Sequence, residues 1–124
     1  MNPPAILVVD DDRLTRWSIA RQLDRVGYRV VEAASGEEAL TLLSQAAPNL
    51  VLLDLGLPGM DGFAVLGEIR KIQPELPVIT MTTDSTSEVS RRAKSLGANV
   101  HIEKPFDVPG LMTTVGSFLG SPSA

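Results

Sequence analysis

Short runs rich in β-branched residues alternate with longer amphipathic runs along almost the whole chain. That alternation constrains the fold more than any other feature. The runs Ile6-Leu7-Val8-Val9, Leu50-Val51-Leu52-Leu53 and Val78-Ile79-Thr80-Met81 are short and almost wholly apolar, as strands buried on both faces are. The pattern predicts strands at about 5–9, 29–33, 50–53, 77–81 and 100–103, and helices at about 12–26, 35–46, 62–72, 85–96 and 108–119. Such alternation implies an α/β fold, a parallel sheet with helices on both faces. Right-handed crossovers leave few topologies.

Local signals set the helix ends. Ser35 with Glu38 forms a capping box. Asp61-Gly62 opens the third helix, in which Phe63, Leu66 and Ile69 keep helical spacing, and Asp107 caps the fifth with Pro109 in its first turn. Gly27 and Gly97 stand where helices should stop. On the first helix Ile19, Leu23 and Val26 define the face expected to be buried, and Trp17 projects roughly opposite. A length of 124 residues predicts one domain, with a core over about 5–119 and a polar tail at 120–124.

Composition excludes several functions. The net charge of −4 argues against direct nucleic-acid binding, which needs a basic footprint. The absence of cysteine removes disulfides and thiolate metal sites, and a single histidine, His101, cannot build a histidine-rich zinc site. No apolar run has the length of a membrane span, and Met1-Asn2-Pro3-Pro4 does not begin a signal peptide, so the expected location is cytoplasmic.

The chemistry gathers at strand ends. Asp10 and Asp11 follow the first strand, Asp54 the third, and Lys104 the fifth. In an open parallel sheet these positions share the edge where ligands bind. Clustered carboxylates repel one another, and a hard divalent cation such as Mg²⁺ relieves that repulsion. One carboxylate could then act as a nucleophile toward phosphorus. Lys104 could neutralise a phosphoryl oxygen, and Thr82, at the end of the fourth strand, could donate a hydroxyl hydrogen bond to another. Each residue also has a plainer reading. Asp54 could cap a loop, Asp12 suits the N-cap of the first helix, and Arg91, Arg92 and Lys94 read as a solvated helix face. Trp17 could anchor a partner or lie over the stems of Arg13 and Arg21.

Four motifs, in order, carry a resemblance: Ile6 to Asp12, Val51 to Gly62, Pro77 to Thr82 and Gly97 to Phe106. Together they resemble the receiver domain of two-component response regulators, over nearly the whole chain. The resemblance implies a flavodoxin-like, doubly wound (βα)5 fold with strand order 2-1-3-4-5. It implies that Asp54 is the phosphoacceptor, that Asp10 and Asp11 form the acidic pair with Asp11 the more direct metal ligand, and that the Gly56 carbonyl completes the Mg²⁺ site, where Mn²⁺ would substitute. It further implies that Thr82 is the switch hydroxyl, Lys104 the phosphoryl-binding lysine and Lys104-Pro105 a cis peptide. The implied partner is a sensor histidine kinase or phosphotransfer protein, with Trp17 on its docking surface. The implied output is a changed face of helix four, strand five and helix five. That face would serve an output domain, a downstream protein or a phosphorylation-dependent homodimer. Such a domain is not an enzyme in its own right. Arg16-Trp17 and the segment Thr82 to Thr86 look like the receivers of enhancer-binding transcriptional activators.

Two positions depart from the family pattern. His101 stands where receivers usually carry tyrosine or phenylalanine, which brings its coupling to Thr82 into question. Thr83 stands where alanine or glycine is common, near the path of a water attacking the aspartyl phosphate, and is expected to slow hydrolysis. Two other readings compete. Asp10-Asp11-Asp12 also fits the opening of haloacid-dehalogenase-like phosphatases, with Asp10 as nucleophile, but that leaves Asp54 unexplained. A phosphate-independent interaction module is the other.

Overall fold

The structure is a computed structural model that describes residues 3–57, 59–84, 86–104 and 107–120. The chain runs β1 (Ala5–Val9), α1 (Arg13–Val26), β2 (Arg29–Ala33), α2 (Gly36–Ala46), β3 (Leu50–Asp54), α3 (Gly62–Ile72), β4 (Val78–Thr82), α4 (Ser87–Ser95), β5 (Val100–Glu103) and α5 (Val108–Leu119). All strand pairs are parallel, in the order β2-β1-β3-β4-β5. The expected fold class and strand order are therefore present.

Why the central runs carry so little alternation is clear from burial. Every residue of β1, β3 and β4 is buried, because helices cover both faces of those strands. One face packs Leu7, Val9, Val51 and Leu53 against Leu43 of α2, Leu66 and Ile69 of α3, and Ala93 of α4. The other packs Ile6, Val8, Leu52 and Met81 against Ile19 and Leu23 of α1 and Leu111 and Val115 of α5. The edge strands β2 and β5 are partly exposed. Asn49 fastens the central pair at its start: its side chain accepts the Ala5 N–H at 2.8 Å and its own N–H donates to the Ala5 carbonyl at 2.7 Å.

The caps follow the sequence signals. Ser35 accepts the Glu38 N–H at 3.2 Å, while the Glu38 carboxylate reaches back to the Ala34 N–H at 2.7 Å, one residue earlier than in a standard capping box. Asp61 accepts from the Phe63 N–H and Asp107 from the Gly110 N–H, both at 3.0 Å. Gly27 ends α1 in the left-handed region, at φ 113°. Asp12 is the N-cap of α1, but its side chain bonds the Thr15 hydroxyl rather than a backbone N–H.

Some boundaries differ from expectation. Strands β3 and β4 extend to Asp54 and Thr82, because the sheet ladder pairs Asp54 with Met81 and Thr82 with Glu103. Helix α4 is shorter, starting after the Thr86 cap. Val26 is 44% exposed rather than buried, and Ala20 takes its place beside Ile19 and Leu23. Val26 is the last residue of α1.

Gly62 ties this frame to the end of β3. A Cβ there would lie 2.5 Å from Leu55 Cα and 2.7 Å from the Leu55 carbonyl oxygen, immediately after Asp54. Backbone cannot yield as a side-chain tip can. Gly62→Ala is expected to cost about 1–3 kcal/mol in urea unfolding; unchanged stability would show that α3 shifts freely past Leu55.

Candidate functional site

Register builds the site. Val9 pairs with Leu53 across β1 and β3, so Asp10 and Asp54 emerge side by side at the carboxyl ends of neighbouring strands. Thr82 pairs with Glu103, which places Lys104 just beyond the end of β4. The Lys104 N–H donates to the Thr82 carbonyl at 2.7 Å and fixes that turn.

Asp10 is fully buried, and each of its polar groups has a partner. Its N–H donates to the Ala33 carbonyl at 3.1 Å, and its carbonyl accepts from Arg16 Nη1 at 2.8 Å. Oδ1 accepts the Asp12 N–H at 2.9 Å and Oδ2 accepts Lys104 Nζ at 2.6 Å. Asp54 is 6% exposed; its Oδ1 accepts the Gly56 N–H at 2.9 Å, and its Oδ2 lies 3.4 Å from Lys104 Nζ. Asp11 is exposed and faces the same cleft. Carboxylate oxygens of Asp10, Asp11 and Asp54 lie within 4.8 Å of one another. The donor set is all oxygen and strongly anionic, which fits a hard divalent cation. The cleft measures about 690 Å³ and is also lined by Gly56, Thr83, Lys104 and the first turns of α1.

Charge and burial oppose each other here. Burial pushes the Asp54 carboxyl above its usual range, against the Gly56 N–H and the Lys104 ammonium, which favour the anion, while Asp10 adds to the upward push. Burial disfavours the Lys104 ammonium too, but its hydrogen bond to Asp10 and the charges of Asp54 and Asp10 outweigh it and hold the amine above its ordinary value.

The structure thus brings together Asp10, Asp11, Asp54, Gly56 and Lys104. Thr82 stands at the adjoining strand end, 6% exposed, with its hydroxyl oxygen accepting the Asp84 N–H at 3.1 Å. His101 is opposite Thr80 in the register, and its Nδ1 lies 2.7 Å from the Thr80 hydroxyl. Its Nε2 is buried and has no hydrogen-bond partner among the described residues. Trp17 stands apart from the acidic cluster, 52% exposed, with the Arg21 guanidinium 5.3 Å from its ring centroid. On α4, Arg91, Arg92 and Lys94 are exposed, and the Arg92 guanidinium lies 4.1 Å from the centroid of Phe63. The expected cis Lys104-Pro105 bond falls outside the described residues.

Sequence reasoning missed two residues. Thr80 was hidden in an apolar run, though its two-residue spacing from Thr82 puts both on one face of β4. Arg16 enters the sequence reading only beside Trp17, in the likeness to enhancer-binding activators; tertiary contact reveals its bond to the Asp10 carbonyl.

A doubly wound parallel sheet with an acidic cluster where strand order reverses defines a class of ligand-binding α/β domain. Comparison with known proteins narrows the class. Residues 6–116 match the family model described as response regulator receiver domain, and the chain belongs to that family. It is 36% identical over 114 residues to sporulation initiation phosphotransferase F of Bacillus subtilis (strain 168), covering 92% of each chain. It is 40% identical over 101 residues to the DNA-binding transcriptional regulator NtrC of Klebsiella pneumoniae, covering 82% of this chain and 22% of that protein. Against the probable transcriptional regulator ycf27 and the response regulator MprA it spans about half their length. The crystal structure of a CheY-like receiver domain protein from Methanospirillum hungatei JF-1 superposes with a TM-score of 0.91 at 30% identity, covering 98% of this chain and 97% of that one. The chain is therefore a receiver domain of two-component signalling, a signalling family that works with histidine kinases or phosphotransfer proteins and is not generally classed as enzymatic.

The His101 environment has a pH consequence. Burial holds the imidazole below its ordinary value of 6.5, with Glu103 opposing and Lys94 reinforcing. A depressed histidine leaves the unfolded chain holding the extra proton, so stability falls as pH drops below 6.5 toward the folded value. Urea unfolding between about pH 7.5 and about pH 5 is expected to show a steeper loss for the wild type than for His101→Phe; equal slopes would refute it.

Proposed function

We propose that this receiver domain accepts a phosphoryl group on Asp54 in a Mg²⁺-dependent reaction and uses it as a conformational switch. The observation that carries the reading is the grouping of an Asp54 carboxylate with one oxygen held by backbone, a lysine 3.4 Å from its Oδ2, and two further carboxylates within 4.8 Å.

Asp10, Asp11 and Asp54, with the Gly56 carbonyl, would hold the cation. Bound there, Mg²⁺ or Mn²⁺ supplies charge neutralisation for the phosphoryl oxygens. The Gly56 N–H holds Asp54 Oδ1, which leaves Oδ2 facing Lys104 to attack phosphorus. A new P–O bond forms on Asp54 as the P–N bond of a phosphohistidine breaks, and the departing imidazole takes up a proton. With a small phosphodonor the leaving group is its own anion. Lys104, already 2.6 Å from Asp10, is placed to neutralise one phosphoryl oxygen. Accepting from Asp84 leaves the Thr82 hydroxyl its own proton to donate to another oxygen.

Phosphorylation adds charge and acceptor oxygens at this strand edge. Thr82 and Lys104 would move toward it, His101 on β5 would respond, and the face of α4, β5 and α5 would change. Converting such an equilibrium from mostly off to mostly on takes roughly 5 kcal/mol of differential stabilisation. A sensor histidine kinase or phosphotransfer protein would deliver the group, with exposed Trp17 on α1 as a contact. The changed face would engage an output domain, a downstream protein or a second copy. No helix among the described residues is long and apolar enough to cross a membrane; the cytoplasmic setting belongs to the same proposal.

The phosphatase-like alternative finds little support. Asp10 is fully buried, and both its carboxylate oxygens are engaged, by Asp12 and Lys104. Intact-mass analysis after incubation with acetyl phosphate and with a phosphorylated kinase decides among the readings. A Mg²⁺-dependent gain of one phosphoryl group that Asp54→Asn abolishes is expected. A gain that survives Asp54→Asn but not Asp10→Asn would favour the phosphatase-like reading, and no gain with either donor would favour a phosphate-independent module.

Thr83, exposed and lining the cleft, adds bulk where hydrolytic water would enter. Thr83→Ala is expected to lose its phosphoryl group severalfold faster, followed by mass spectrometry after donor removal; equal or slower loss would refute the role.

A further inference from the structure

We infer that Arg16 is a positioning residue for the cation site: it holds the Asp10 carbonyl and thereby aims Asp11. The inference rests on the reading that the acidic cluster binds a divalent cation.

Three observations carry it. Arg16 Nη1 donates to the Asp10 carbonyl oxygen at 2.8 Å. Its Nε is held by Glu32 Oε1 of β2 at 3.0 Å, and its side chain is only 16% exposed, so the guanidinium is fixed from behind. Its backbone N–H bonds the Asp12 carbonyl at 2.9 Å, which joins the first turn of α1 to the acidic stretch.

The geometry matters because the two acidic residues are held differently. Asp10 is clamped by Ala33, Asp12 and Lys104. The Asp11 side chain is exposed, and the plane of the peptide that joins it to Asp10 helps set where its Cα–Cβ bond points. The carbonyl of that peptide is the group Arg16 grips. A planar fork bonded at two points resists rotation of that peptide in a way a flexible ammonium cannot. Groups that orient metal ligands without touching the metal typically change metal affinity by 10–100-fold.

Charge alone predicts the reverse. A cation beside a metal site repels the metal, so removing the guanidinium would tighten binding if it acted only as a charge. Arg16→Lys keeps the charge and loses the fork; Arg16→Met loses both. The test is Mn²⁺ titration of the full chain, with free Mn²⁺ read by electron paramagnetic resonance and urea unfolding measured in parallel on metal-free protein. Both variants are expected to bind Mn²⁺ about tenfold or more weakly while still unfolding cooperatively. A merely structural role would lower the urea midpoint without moving the Mn²⁺ constant, and would overturn the inference. So would tighter binding by Arg16→Met or unchanged binding by Arg16→Lys. Failure of the wild type to bind Mn²⁺, or undiminished binding by Asp11→Asn, would instead overturn the cation reading beneath it.

Discussion

Pairing of β1 with β3 at the centre of the sheet is the constraint on which the site depends. Residues distant in sequence become neighbours only because these strands run parallel with Val9 opposite Leu53. A slip of one residue would turn every side chain of β1 to the other face. The burial of both strands on both faces prevents it, since each face is committed to a different set of helices. Asn49 adds a polar lock at the start of the pair. The acidic cluster thus inherits its geometry from the most completely buried part of the molecule.

Placing carboxylates at such an edge is costly, and Lys104 offsets the cost. Its ammonium lies 2.6 Å from Asp10 and 3.4 Å from Asp54, so one cation serves two buried anions on adjacent strands. Breaking such a pair by removing one partner leaves an uncompensated buried charge. The same arrangement leaves the site responsive, because Asp54 has only one oxygen tied to backbone and the other facing the lysine. Added phosphoryl charge would redistribute the lysine between Asp10 and the new group. Asp54 and Thr82 belong to strands and Asp10 is buried immediately after one, while Asp11 and Thr83 lie in exposed loops.

His101 shows where motif reading falls short. The sequence already brings its coupling to Thr82 into question; parallel register sets it against Thr80, two residues back along β4. Arg16 is a comparable case. Helical spacing puts it on the face of Ile19, Ala20 and Leu23, but only the path of β2 brings Glu32 and the Asp10 carbonyl to its two ends. Helical spacing puts Val26 on the face of Ile19 and Leu23, yet at the end of α1 its side chain is exposed.

What the sequence determined by itself was the alternation of strands and helices, their caps and the placing of Asp10, Asp11, Asp54, Thr82 and Lys104 just at or after strand ends. These are local properties, written in periodicity, turn chemistry and short motifs, and every one of them survives in the structure. Tertiary structure alone decided which of those ends meet, which carboxylate is sealed and which is open, and which side chains stand behind them. Burial, ion pairing and the partner of His101 depend on distances between strands that no local pattern encodes. They follow from packing two helical layers against one twisted sheet, where a single register settles all of them together.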